Sequence, residues 1–158
     1  MSPVQWSRVE AFAWRRSFWS AFLIGAGLMA AVDEIIFHQL LAWHHFYDRS
    51  TPFIGLVSDG LLHSAELVAL VSGFFLFSAQ RRSGNLIPLW AWAGGFLGAG
   101  IFQVFDGLIN HKVLRLHQIR YGVDNILPYD LAWNAFGTLL ILIGLVFLMR
   151  ARRLPRSD

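Results

Sequence analysis

His38, His63 and His111 stand beside Asp33, Asp59 and Asp106 inside segments that are otherwise apolar. Imidazole combined with carboxylate is the usual first shell of zinc or non-haem iron, and it also accepts copper with less selectivity. Cysteine is absent, so thiolate-bound zinc, iron–sulfur clusters and thiol nucleophiles are excluded. The three methionines do not group, which disfavours a thioether copper site. These six residues are the expected metal ligands. Glu34, His44, His45, Glu66, His117 and Asp130 are secondary candidates, with Glu66 as a candidate general base and His44 and His117 expected near the outer mouth. The donors suffice for one or two ions.

The spacing repeats. Residues 24–45 align without a gap on 97–118, matching Gly25, Ala26, Gly27, Asp33, Ile36, His38, Leu41 and His44 with Gly98, Ala99, Gly100, Asp106, Ile109, His111, Leu114 and His117. The shared polar pattern is Asp-x4-His-x5-His. A weaker correspondence, two residues shorter in offset, pairs Asp59 with Asp130, His63 with Asn134 and Gly73 with Gly144. At 100° per residue, Asp59, His63 and Glu66 form one stripe, whereas Asp33 and His38 point about 140° apart.

The elements that carry these residues are four long apolar segments, about 18–43, 56–77, 87–110 and 131–149, each near the length that crosses a bilayer. The chain is 56% hydrophobic over 158 residues, which fits an integral membrane protein and not a soluble domain. The expected fold is all-α: a four-helix membrane bundle of two parallel-repeat helical hairpins, occupying residues 1–158 as one domain. Pro52, Pro88 and Pro128 fall at or just before span starts, where a missing N–H costs little. Trp6, Val9 and Phe12 suggest an interfacial lead-in. Aromatic belts are expected from Trp14, Trp19, Trp90 and Trp92 at one interface, and from Trp43, Tyr47, Tyr121, Tyr129 and Trp133 at the other.

Nine arginines (Arg8, Arg15, Arg16, Arg81, Arg82, Arg150, Arg152, Arg153, Arg156) flank one set of span ends, against Arg49, Lys112, Arg115 and Arg120 at the other. The positive-inside rule then places both termini in the cytoplasm and the polar residues in the outer half of the membrane. The arginines form no continuous stripe, so a nucleic-acid surface is not indicated. The expected partners are the bilayer and either a membrane subunit or further copies of the chain.

A charged side chain at mid-span costs about 3 kcal/mol on insertion scales, against about 5–15 kcal/mol for the whole stability of a domain. Six of the ten acids lie in or at the edges of spans with no Lys or Arg deep in any of them. Protonation, His–carboxylate pairing or bound cations must compensate. The reading that follows is a membrane metal-binding protein, with redox and hydrolytic metalloenzymes both open. Metal handling or delivery, or an accessory subunit, is the alternative. Haem binding explains the histidines but not the repeated aspartates.

The stretches Val32–Gln39, Trp43–His45, Ser58–His63, Phe105–Gly107 through His111 and His117, and Tyr129–Leu131 resemble the motifs of a bacterial family of four-span membrane proteins classed as a domain of unknown function. The resemblance covers nearly the whole chain and implies the membrane fold, the motif positions and a multi-pass place in a bacterial inner membrane, whose outer side is the periplasm, with no reaction attached. That family often has Gly after the first Asp, where this chain has Glu34.

Overall fold

In the computed structural model, residues 3–153 are described, with side chains from Phe12 onward. The side chains of Trp6, Arg8 and Val9, and residues Pro155 and Arg156, lie outside the described residues. Four helices form: α1 (Pro3–Asp33), α2 (Pro52–Arg82), α3 (Pro88–Phe105) and α4 (Leu127–Arg152). No strand occurs among the described residues. Two π-helical segments, Glu34–Leu40 and Asp106–Val113, continue α1 and α3 without a break. Four stretches, Phe12–Leu40, Pro52–Arg82, Pro88–Val113 and Leu127–Arg152, are long and apolar enough to cross a membrane. Pro52 and Pro88 open α2 and α3, and Pro128 lies in the first turn of α4, where each replaces a donor that has no partner inside the helix.

The packing follows the repeat. α1 and α3 lie against each other at the centre, α2 packs on α1, and α4 packs on α3. Small residues permit the central contact: a Cβ on Gly25 would strike the Gly95 carbonyl, and one on Gly98 the Phe22 carbonyl. Their neighbours Gly27 and Gly100 do the same outward. Gly27 meets Glu66 and Leu70 of α2, and Gly100 meets Gly137 and Ile141 of α4. Each pair is related by the same offsets that relate the sequence halves, so the two hairpins are disposed about a pseudo-two-fold axis between α1 and α3.

α2 and α4 turn large apolar side chains outward, among them Phe53, Leu61, Val68, Phe74, Leu139 and Leu142, as lipid-facing helices do. Trp14 and Trp90 meet at 4.6 Å at the arginine end. Trp133 departs from its expected place in the outer belt. It is buried, and its indole N–H donates to the Gln103 carbonyl at 3.1 Å, which satisfies the indole's polar group inside the bundle.

Candidate metal centre

The Asp-x4-His spacing gains its meaning from the π-helical segments. A π turn closes its hydrogen bonds five residues apart instead of four, so residues at i and i+5 come onto one face. Asp33 and His38, about 140° apart on an α-helix, are thereby brought together, with His38 Nε2 3.8 Å from Asp33 Oδ2. In the second repeat His111 Nε2 lies 3.0 Å from Asp106 Oδ2.

Each π segment then ends in the same reversal. Leu41 N–H donates to the Ile36 carbonyl and Trp43 N–H to the Phe37 carbonyl; Leu114 to Ile109 and Leu116 to Asn110 repeat the pattern. The residue between each pair is in the left-handed region, Ala42 with φ 47° and Arg115 with φ 52°. This is a Schellman-like cap widened by one residue, in keeping with the wider helix before it. It turns the chain so that the next residue but one, His44 or His117, points back between the hairpins. Neither is at the outer mouth: both are buried, at 4% and 1% exposure.

The result is four buried histidines in two-fold array. The His44 and His117 rings stack at 4.5 Å with planes 5° apart. His38 stands edge-on to His44 at 4.5 Å and His111 edge-on to His117 at 4.6 Å. The two loops interlock to hold them: His44 Nδ1–H donates to the Ile119 carbonyl at 2.9 Å, and His117 Nδ1–H donates to the Phe46 carbonyl at 2.8 Å. A ring nitrogen facing a carbonyl must carry the proton, which leaves Nε2 of both rings with a free lone pair. Burial, helped by the neighbouring imidazoles, pushes His44 down to about 2, and burial pushes His117 down to about 4. Both are therefore neutral, the form that binds metals.

His38 is oriented in the same way by a carboxylate. Its Nδ1 lies 3.1 Å from Asp59 Oδ1 and 2.9 Å from Glu34 Oε2. Asp59 also accepts from Phe46 N–H at 2.7 Å and faces His45 Nδ1 at 2.5 Å, so both of its oxygens are engaged. Asp106 accepts from Asn110 Nδ2 at 2.9 Å and sits 3.7 Å from His117 Nε2. Among the described residues, Nε2 of His38, His44 and His117 and Nδ1 of His111 are buried without a hydrogen-bond partner, while Glu34 Oε2 and Asp106 Oδ2 face the imidazoles of His38 and His111. Three overlapping sets present donor atoms within 4.8 Å of one another: His38, His44 and His117; Asp106, His111 and His117; and Glu34, His38 and Asp59.

The remaining sequence candidates are placed elsewhere. His63 has a side chain 48% exposed and faces outward from α2, with Nδ1 2.5 Å from buried Glu66. His45 is a partner of Asp59 at the rim. Asp130 pairs with Lys112 at 2.6 Å, a cation close enough to compensate it that sequence position alone did not reveal. Arg120 covers Trp43 at 4.6 Å and donates to the Tyr129 hydroxyl at 2.7 Å. Asn110, which orients Asp106, and the carbonyls of Phe46 and Ile119 are the participants that sequence reasoning missed. The two carbonyls continue the repeat offset just past the aligned run, and that continuation is the signal for them.

The two halves differ at one position. Glu34 corresponds to Gly107, and a Cβ there would stand 2.6 Å from Trp133 and 2.7 Å from the Asn134 side chain. The first half thus carries an extra buried carboxylate where the second has room only for hydrogen.

No curated protein and no solved structure matches this chain. Residues 20–151 match the family described as "Predicted membrane protein (DUF2243)", and the chain belongs to that family.

Proposed function

We propose that the chain is a membrane metalloprotein whose four-histidine cluster holds a transition-metal ion, zinc or iron before copper. One observation carries the reading: in His38, His44 and His117 alike, Nδ1 is anchored on an acceptor while Nε2 is buried without a partner. Anchoring one ring nitrogen to fix the other is how metal-binding histidines are positioned. Leaving buried polar atoms unpaired costs about 1–3 kcal/mol each, so several such atoms together approach the stability of a domain, and a cation offsets the cost. His111 and Asp106 are the donors for a second ion. Asp59 serves to orient His38, and Glu66 and His63 stand apart from the set.

Such a centre supports redox chemistry with iron or copper, and water activation with zinc. A resident centre fits better than a conduit. Toward the arginine end the α1–α3 contact is closed by Gly25, Gly94 and Gly98 against backbone, and the buried Ser17, Ser20 and Gln80 are hydrogen-bonded to one another.

The arginine asymmetry supports an orientation in the cytoplasmic membrane with the cluster in the periplasmic half. A cysteine introduced as Asp124→Cys should react with an impermeant reagent from the periplasmic side. Labelling from the cytoplasm alone reverses the orientation.

The metal reading is tested by purifying the untagged protein in detergent, quantifying transition metals per chain and recording optical and paramagnetic spectra. Stoichiometric metal supports it. Absence of stoichiometric metal, both after native expression and after incubation with zinc or ferrous iron, overturns it, and an intense Soret band replaces it with haem.

A further inference from the structure

A cavity of about 360 Å³ opens between α1 and α4, within the size range of small-molecule sites. Its walls are largely aromatic, from Phe37, Trp43, Tyr129, Trp133 and Phe136. Two of its lining residues, Asp33 and Gln103, are polar and almost fully buried, at 2% and 3% exposure, and Asp33 Oδ1 and Gln103 Oε1 have no hydrogen-bond partner.

The repeat explains why those acceptors are unsatisfied. In the second half, Asn110 donates to Asp106. Its counterpart in the first half is Phe37, an aromatic wall of the cavity that has no donor to give Asp33. The counterparts of Gln103 and Trp133 are Ala30 and Leu62. The cavity is therefore particular to this side of the molecule and is not a by-product of two-fold packing.

Access is from the lipid. At the loop end the Arg120 guanidinium lies across two of the wall residues, Trp43 at 4.6 Å and Tyr129 at 5.1 Å. α1 and α4 do not pack on each other, and the exposed Val32, Ile36 and Phe136 border the gap between them. An occupant must have a flat apolar body and must bring a hydrogen-bond donor to two acceptors.

We infer that this cavity binds a lipid-dissolved phenol, the class that includes hydroquinones, with its single hydroxyl proton shared between Asp33 Oδ1 and Gln103 Oε1. The inference goes beyond the metal centre: none of the four histidines lines the cavity, and Asp33, whose Oδ2 lies 3.8 Å from His38 Nε2, keeps its other oxygen, Oδ1, without a partner.

The test uses the full chain in lipid nanodiscs and a para-alkyl bromophenol, whose bromine quenches nearby tryptophan, against its methyl ether, which lacks the donor. The phenol should quench saturably and bind about tenfold more tightly than the ether, the worth of one well-made hydrogen bond. Gln103→Leu should shrink that preference, and Ala132→Phe, which fills the cavity, should abolish saturable quenching. Equal binding of phenol and ether, or saturable quenching that survives Ala132→Phe, overturns the inference. Metal content measured on the same samples keeps the two readings separate: phenol binding by metal-free protein sinks only the metal centre, and stoichiometric metal without phenol preference sinks only this site.

Discussion

His44 and His117 stack with ring planes 5° apart, and each is anchored on a backbone carbonyl of the opposite repeat. Neither half can form this pair alone, so the centre exists only once the two hairpins have docked. The relation is reciprocal, and His44→Ala and His117→Ala should have matching consequences. Each should lower metal affinity by at least about tenfold, and each should destabilise the protein by about 1–3 kcal/mol through an unpaired carbonyl, at Ile119 or Phe46. Metal per chain and thermal midpoints in detergent measure both. Loss of metal in one variant and full retention in the other contradicts the two-fold arrangement.

On α2, Asp59 and His63 are four residues apart and share a helical stripe, yet their positions separate their roles. Asp59 is buried and holds His38, His45 and the Phe46 N–H, while His63 is half in the lipid-facing surface. His63→Ala should leave metal content unchanged. Asp59→Ala removes the group that anchors His38, and it should weaken metal binding about 10- to 100-fold, the usual range for the orienting partner of a ligand. Competition with a chromophoric chelator reads both, and equal affinities in the two variants would remove Asp59 from the centre.

The π-helical segments lend themselves to a sharper perturbation. Inserting one alanine between Glu34 and Ile35 lengthens the interval from Asp33 to His38 to six residues and turns His38 away from Asp33 and Asp59 by about 100°, one residue's rotation. The insertion should release metal while circular dichroism keeps its helical intensity, because helix length changes by a single residue. Retention of metal would show that the interval of five is dispensable.

That geometry also marks the boundary of what the sequence makes legible. Four spans, two related hairpins and the level at which the polar residues meet follow from apolar length and from the matched Asp-x4-His-x5-His. The convergence of Asp33 with His38 does not, because hydrophobic periodicity is read at 100° per residue and a π turn departs from it; only the repeated interval of five hints at the change. The return of His44 and His117 to the centre is hidden for a different reason. The left-handed residues that steer them are Ala42 and Arg115, where Gly or Asn would have announced a helix end. His63 shows the opposite limit. It shares a stripe with Asp59, but α2 is covered on one side only, and a stripe does not say where that cover stops.

Ala42 and Arg115 therefore carry a cost that the fold retains. A residue with a Cβ in the left-handed region is destabilised by roughly 1–2 kcal/mol relative to its preferred conformation, and here it happens twice at equivalent positions. Glycine relieves the strain but widens the choices of the unfolded chain, so the net gain is smaller. Ala42→Gly and Arg115→Gly should each raise stability by up to about 1 kcal/mol, read as a higher thermal midpoint in detergent. Gly84, already at φ 72° beyond the end of α2, offers the reverse control, since Gly84→Ala should lower the midpoint by a similar amount. A fall in stability on Ala42→Gly would show that the left-handed turn is not the strained element. If both glycine variants are more stable but bind metal less tightly, the strain holds His44 and His117 in place, and the two alanine-to-glycine and arginine-to-glycine changes separate rigidity at the reversal from the ligands themselves.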